Sequence, residues 1–395
     1  MATQKTRNRS LYLAPETAFT TETVTVGDYL PVPAENLSHL TDETAVYERP
    51  AMVGRNVSIA GDRGADGASL TLSMPLTGYA TAGGDATHAN GGNEDVLGHL
   101  IQSALGAAGT QQGADIASAT AGGIVANTPH PSDQTLVPVY GSGLHSGGVQ
   151  WRRLSGSAGT YATDRNWIAN PTSSEVIYAT RYWTGPVVDD GFTLSGYYTQ
   201  DDNTYLLLGG RPTSMKISAS AGQVAMVDFG LSFDSKTRGT VRSVTSIDTF
   251  SPERLKALNL EISFGGTTYG ASSVEIDFGL STSPITDSTT ANGRSDLECL
   301  GADPVITFTP PGATGWEDDF RAGTSGPLSV SFGIGDGTAS RINSVCMFCE
   351  SAQVMTATTS DDGPIMRQSV SLAARWEGLF AATSTDSHYY ILSRA

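Results

Sequence analysis

The sequence predicts a mainly β protein, and three observations carry that prediction: period-two alternation in many short runs, turn dipeptides between them, and low charge with abundant Gly, Ser, Thr and Ala. Leu70, Leu72 and Met74 fall on one side of an extended chain with Thr71 and Ser73 on the other, and Pro75 limits how far that strand pairs. Leu258, Leu260, Ile262 and Phe264 alternate with Asn259, Glu261 and Ser263. Val274, Ile276 and Phe278 oppose Glu275, Asp277 and Gly279 in the same way, and similar runs lie at 176–183, 205–208, 224–233, 328–332, 345–354 and 370–376. Asp66-Gly67, Asn90-Gly91, Asp190-Gly191, Asn292-Gly293, Asp336-Gly337 and Asp362-Gly363 reach positive φ at low cost, so some of them are expected to close hairpins.

One helix is expected over about 93–106. Asn93 is its cap, Glu94 and Asp95 suit its positive end, Val96, Leu97, Leu100, Ile101, Ala104 and Leu105 form an apolar stripe, and Gly106 ends it. His99 falls on the polar side and is read as solvated. Residues 106–148 are dominated by Gly, Ala, Ser, Thr and Gln with few large apolar groups, which marks a surface insertion. Residues 28–68 form a second long, turn-rich stretch, read as a projecting arm or an ordinary meander. A short echo, Val227-Asp228-Phe229-Gly230-Leu231-Ser232 against Ile276-Asp277-Phe278-Gly279-Leu280-Ser281, has no third copy and so points to related strands in one sheet system, not a solenoid.

Composition excludes several classes of function. With 395 residues the chain has room for a sizeable core, and 23 Lys and Arg against 40 Asp and Glu leave a formal charge of −17, which disfavours gripping phosphates. The sequence has no run of 18 apolar residues, so a transmembrane helix is not expected. The apolar stretch after Lys5, Arg7 and Arg9 is too short for a signal peptide. Three cysteines, Cys299, Cys346 and Cys349, fit synthesis in a reducing cytoplasm and no disulfide framework.

Candidate chemistry is sparse. Cys346-x-x-Cys349 lacks the second pair or histidines of a zinc site, and strand alternation puts the two thiols on opposite faces, so both are read as buried structural thiols. The histidines at 39, 88, 99, 130, 145 and 388 form no ligand spacing. The sequence contains neither a phosphate loop ending in Gly-Lys-Ser/Thr nor a Gly-x-Ser-x-Gly elbow. Acidic doublets at 189–190, 201–202, 318–319 and 361–362 are read as turn and solvation features. No catalytic residue, cofactor or metal is therefore expected.

Several segments together resemble the tail tube (major tail) proteins of long-tailed, siphovirus-like phages. Ser10-Leu-Tyr-Leu-Ala-Pro-Glu16-Thr-Ala-Phe19 is similar to the family's short first strand and Glu-Thr step, and Tyr47-Glu48-Arg49 through Gly54-Arg55 to Gly61 to its long Arg- and Gly-containing loop. The strand over 68–76, the helix over 94–105, the hairpin from Leu206 through Gly209-Gly210, Met215 and Gly222 to Phe229, and closing strands at 366–378 and 389–392 follow in the family's order.

The resemblance implies a β-sandwich or barrel protomer spanning 1–395, with halves 1–210 and 211–395, an insertion at 106–170 and a long loop or arm at 28–68. It implies a structural virion protein made in the host cytoplasm and located in the tail, not an enzyme. Its partners would be further copies in stacked hexameric rings, and the tape measure, tail terminator and baseplate or tip proteins. Genome DNA would pass along the bore without tight binding, and no membrane is involved; the −17 balance adds the separate expectation of a bore wall with an excess of Asp and Glu. Lys5, Arg7, Arg9, Arg49, Arg55 and Arg63 are the candidate contacts between neighbouring subunits or rings. Other classes stay open: another virion component such as a capsid decoration protein or tail terminator, or a carbohydrate-binding or hydrolytic β-sandwich using Trp151, Trp167, Tyr182 and Trp183 as a sugar platform.

Overall fold

Period-two alternation becomes architecture through two strands of 18 residues each, both shared between sheets. The computed structural model describes residues 9–21, 29–47, 62–77, 96–105, 110–112, 118–120, 123–125, 136–140, 149–153, 179–182, 193–200, 203–239, 260–287, 294–310, 315–332, 345–362, 365–375 and 390–394. In chain order the main elements are β1 (Arg9–Pro15), β2 (Thr41–Tyr47), β3 (Asp62–Pro75), α1 (Val96–Leu105), β4 (Ala179–Tyr182), β5 (Leu194–Gln200), β6 (Asn203–Ser220), β7 (Met226–Phe233), β8 (Ser235–Gly239) and β9 (Glu261–Phe264). They continue with β10 (Thr267–Gly270), β11 (Ser273–Asp277), β12 (Leu280–Thr286), β13 (Arg294–Ala302), β14 (Val305–Thr309), α2 (Trp316–Ala322), β15 (Ser325–Phe332), β16 (Val345–Asp362), β17 (Ile365–Arg375) and β18 (Tyr390–Arg394).

The central sheet is antiparallel, in the order β2, β3, β7, β6, β11, β14, β17 and β16. Register aligns the apolar faces: Met74 lies opposite Val227, Val227 opposite Ile217, Ile217 opposite Ile276 and Ile276 opposite Ile306. All five are buried in one continuous cluster. The first half of β16 pairs instead with β15 and β18, opening a second sheet that continues to β9 and β10 on one side and β4 on the other. The first half of β6 pairs with β5 and β8, and β5 with β1, in a third group.

The change of partners in β6 occurs at Gly209-Gly210. Gly209 has φ +64, and a Cβ on Gly210 would stand 2.2 Å from Phe233 Cε1 and 2.8 Å from the Leu194 carbonyl, so only glycine fits this crossing. The boundary expected at 210/211 thus falls inside the strand, where its partners change.

A long hairpin runs through the two pairs β11–β14 and β12–β13. It breaks between them at Gly279, whose φ is +55 and whose added Cβ would meet the Asp303 carbonyl at 2.8 Å. The outer pair leaves the central sheet there and forms a two-stranded ribbon.

The helical stripe is buried as its spacing predicts, but Gly98 and Ser103 are buried too, because α1 is enclosed by β1, β4, β6 and β13. His99 and Gln102 are its half-buried positions, so His99 is not the solvated residue expected. Residues 93–95 of the expected helix lie outside the described residues. A second helix, α2, was not expected. Its first turn carries Glu317, Asp318 and Asp319, its last turn Arg321, and Gly323 follows with φ +64 and its N–H on the Phe320 carbonyl. Trp316 at its start is buried against Tyr269, Phe308 and Phe264, with ring centroids 4.9, 5.4 and 5.6 Å away.

Turn chemistry is only partly as read. Asp66-Gly67 lies inside β3, opposite Thr44 and Glu43 and beside a register shift, not in a turn. Asp362 ends β16 opposite Ile365, so the Asp362-Gly363 dipeptide does begin a strand-to-strand connection. Gly265 and Gly266, both with positive φ, join β9 to β10 as a two-residue hairpin of the primed type. Residues 90–91, 190–191, 292–293 and 336–337 lie outside the described residues. The 28–68 stretch holds short strands at Leu30–Pro31 and Asn36–Leu37, then β2 paired with β3. Since β7 reaches only Ala68, the part of β3 before it pairs with β2 alone. Within 106–170, Thr110–Gln112 pairs with β4, while Ser118–Thr120 with Gly123–Val125 and Leu136–Tyr140 with Val149–Arg153 form separate two-stranded pairs.

Candidate functional site

The two echoed segments flank the same strand. Lys216 on β6 pairs with Asp228 of β7 on one side and with Asp277 of β11 on the other, just as Ile217 pairs with Val227 and Ile276. Alternation sends the apolar members inward and the charged members to the wet face of the central sheet. Lys216 Nζ lies 2.8 Å from Glu275 Oε1, and that bond raises the lysine pKa above its ordinary value, with desolvation opposing it and the Glu275, Asp277 and Asp228 charges adding to it.

Around this group the wet face is built from hydroxyls. Ser73 lies opposite Asp228, Ser218 opposite Glu275, Glu275 opposite Thr307 and Thr307 opposite Ser371. The hydroxyls satisfy one another: Thr307 Oγ1 and Ser371 Oγ are 2.9 Å apart, and Ser273 Oγ donates to Thr309 Oγ1 at 3.2 Å. A shallow concavity of about 270 Å³ lined by Ser218, Ser220, Glu275, Thr307 and Thr309 lies on this face. Such a surface offers short acceptors and anionic charge, and at β6, β7 and β11 only Lys216 opposes Asp228, Glu275 and Asp277. Among the described residues no group of three or more His, Cys, Asp or Glu is placed to hold a metal ion.

The crossing in β6 is held by polar groups that sequence reasoning does not single out. Glu16, buried just after β1, accepts the Gly209 N–H at 2.8 Å, the Thr193 hydroxyl at 2.6 Å and the Thr20 N–H at 3.1 Å. Burial nonetheless pushes its pKa up, outweighing those donors, and the Asp296 charge adds to the rise. Asp234, also buried, pairs with Arg294 at 3.3 Å. Two residues further along β6, buried Arg211 donates from Nε to the Ser103 carbonyl at 3.0 Å and from Nη1 to the Leu297 carbonyl. Cys299 Sγ donates to Ala104 O at 3.3 Å, so a cation and a thiol meet the partly negative C-terminal end of α1. The Glu-Thr step at Glu16 was the available signal for the first contact. The carbonyls around Arg211 come from remote elements and leave no local pattern.

Of the six arginine and lysine candidates, Arg9 is described with its side chain. It donates from Nη1 to Leu37 O at 2.7 Å, and its Nη2 lies beside His39 Nε2, so it ties β1 to the 36–39 segment of its own protomer. Arg63 sits in β3 opposite Val46. Lys5, Arg7, Arg49 and Arg55 lie outside the described residues, as do Trp167 and Trp183 of the possible sugar platform and the side chains of Trp151 and Tyr182. Cys346 and Cys349 are both buried, and burial pushes the Cys349 thiol pKa far up. No helix among the described residues is long and apolar enough to cross a membrane.

Branched sheets with an inward apolar face and an outward face of hydroxyls and carboxylates define a mainly β protein. The family model for the phage tail tube protein matches residues 6–375, and the chain belongs to that family. It is a structural protein of the phage tail, and that family places it in the virion tail within a multi-subunit assembly of tail proteins. No curated protein matches the chain.

Proposed function

We propose that the chain is the major subunit of the tail tube, that copies close into hexameric rings, and that stacked rings form the channel through which genome DNA is delivered. The observation that carries this reading is the wet face of the central sheet, where Asp228, Glu275 and Asp277 surround Lys216 on a field of Ser and Thr. Turned to the bore, this face repels a polyanion and offers few cationic groups for phosphates to hold, so a moving duplex slides without sticking. Closure into rings would also pair strand edges that have no partner strand among the described residues, such as the outer sides of β8 and β10. The chain acts by geometry and electrostatics and needs no catalytic group.

The test is microscopy of the purified protein, followed by a structure of whatever assembles. Stacked six-fold rings with Asp228 and Asp277 facing the channel are expected. A persistent monomer at high concentration, or a tube whose bore is lined by another face, overturns the reading.

A further inference from the structure

Thr20 is the one non-glycine with positive φ among the described residues, at +55. That region crowds any side chain, and a β-branched one most. Thr20 closes the tight turn that follows β1, in which Ala18 and Thr21 form an isolated bridge and the Thr21 N–H is donated to the Ala18 carbonyl at 3.0 Å. The strained conformation brings the Thr20 N–H to Glu16 Oε2, 3.1 Å away. It also seats the turn on the crossing in β6: a Cβ added to Gly209 would stand 2.9 Å from Phe19 Cε2 and 3.1 Å from Thr20 Cγ2.

The two oxygens of Glu16 are not equivalent. Oε1 accepts the backbone N–H of Gly209 at 2.8 Å, and that donor cannot turn round. Oε2 accepts the Thr193 hydroxyl at 2.6 Å as well as the Thr20 N–H, and a hydroxyl can reverse and accept. A proton taken up by the carboxylate therefore goes to Oε2, where the new O–H donates to Thr193 Oγ1. The Glu16 N–H, donated to the Thr193 carbonyl at 2.8 Å, keeps the backbone in place meanwhile. What is lost is the charged acceptor of the Thr20 N–H. A hydrogen bond to a charged acceptor is about twice as strong as a neutral one. Left-handed backbone costs a residue with a side chain about what one neutral bond returns. Ionised Glu16 thus holds Thr20 in its strained conformation, and neutral Glu16 does not.

We propose that the turn over residues 16–21 is a proton-operated latch: uptake of one proton by Glu16 lets Thr20 leave the left-handed region, and Phe19 then comes off the strand crossing. The surroundings of the carboxylate favour that uptake. Burial disfavours its charge, and Asp296 of β13 adds a like charge, which together place protonation above the ordinary carboxylate range. Asp234, whose Cβ would meet one added to Gly209 at 3.0 Å, is already paired with Arg294 of β13, so that cation is committed elsewhere. Opening relieves both the backbone strain and the buried charge, so it proceeds without loss of the sheets around it. The latch is a property of the single protomer and does not depend on how copies assemble.

The test is hydrogen exchange of the full chain, read by mass spectrometry on peptides covering residues 16–21 from neutral to mildly acidic pH, with each rate divided by that of the unstructured sequence. Protection of the Thr20 and Thr21 amides should fall by about tenfold or more on acidification, while peptides from β7 and β11 keep theirs. Glu16→Gln carries a neutral side chain at every pH, so its turn is open throughout. Thr20→Asn goes the other way, because asparagine adopts left-handed backbone more readily than threonine, and its turn stays protected to lower pH than that of the wild type. Wild-type protection that does not change with pH overturns the latch, and so does a Thr20→Asn turn that opens at the wild-type pH. Should Glu16→Gln fail to fold, the wild type and Thr20→Asn decide the matter between them.

Discussion

Glu16 Oε1 accepts the backbone N–H of Gly209 at 2.8 Å, joining the end of the first strand to the point where β6 passes from one sheet to another. With Thr193 and Thr20 also donating, Glu16→Ala leaves buried donors without an acceptor, and we expect a loss of about 3 kcal/mol. Glu16→Gln keeps one acceptor oxygen and costs less. The pH dependence has a definite sign. Burial raises the folded pKa, so the native state takes up a proton before the unfolded chain does as pH falls. Wild-type stability relative to Glu16→Gln should rise as pH drops through that raised value and level off below the ordinary carboxylate value. Denaturant titrations of both proteins across this range measure the difference, and a gap that shrinks on acidification contradicts it.

Glycines at two positions should lose stability to very different degrees on the same change. Gly210→Ala drives a Cβ into Phe233 and the Leu194 carbonyl at a strand crossing, so we expect at least about 3 kcal/mol of destabilisation or failure to fold. Gly222, in the turn after β6, has φ +78 with nothing within 4 Å of an added Cβ, so Gly222→Ala costs only the left-handed backbone, about 1 kcal/mol. Melting temperatures of the two variants, compared with wild type, check the contrast.

What was legible in the sequence is what is local. Leu70, Leu72 and Met74, and Val274, Ile276 and Phe278, are buried as alternation requires, since period two is a property of the extended chain itself. The echo at 227–232 and 276–281 points to related strands in one sheet system, and the two copies are the neighbours of β6. Arg211 was not legible, because the Ser103 and Leu297 carbonyls that hold it lie 108 and 86 positions away. The short α2 was missed because Asp318-Asp319 reads equally as a solvated turn, although Gly323 past its end was a usable stop signal. Arg9 shows the same limit for the site: its charge is visible in sequence, its bond to Leu37 is not.

Thiol chemistry should separate the cysteines. Cys299 is half-buried, whereas Cys346 and Cys349 are buried and the Cys349 thiolate is strongly disfavoured. In the native protein at mildly alkaline pH, iodoacetamide should label Cys299 first, with the other two reacting only on unfolding. Peptide mass spectrometry over time reads this out. Rapid native labelling of Cys349 contradicts the burial.

The N-terminal residues before Arg9 are the next lever. Because Arg9 bonds within its own protomer, a deletion that spares it, residues 2–8, should leave the fold and its melting temperature intact. If Lys5 and Arg7, candidate contacts between neighbouring subunits or rings, bridge rings, tube length in micrographs falls while single rings persist. Full-length tubes from the truncated protein retire that role.

The channel reading makes one prediction about DNA. Affinity for duplex DNA comes largely from counterions released by Lys and Arg, and 23 such residues here face 40 acids. Average charge does not locate the acids, but the wet face of the central sheet does place Asp228, Glu275 and Asp277 around a single lysine already paired with Glu275. Screening confines their influence to about 8 Å at physiological ionic strength, so only residues on the channel wall itself act on a passing duplex. The wild-type protein should therefore show no appreciable duplex binding at physiological salt. The triple variant Asp228→Lys, Glu275→Lys and Asp277→Lys should gain binding that weakens steeply with added salt, while the fold persists because all three side chains are partly or fully solvent-exposed. Phage carrying the variant should assemble tails yet deliver DNA more slowly. Salt-sensitive nanomolar binding by the wild type would show that the wall grips the duplex instead of letting it pass.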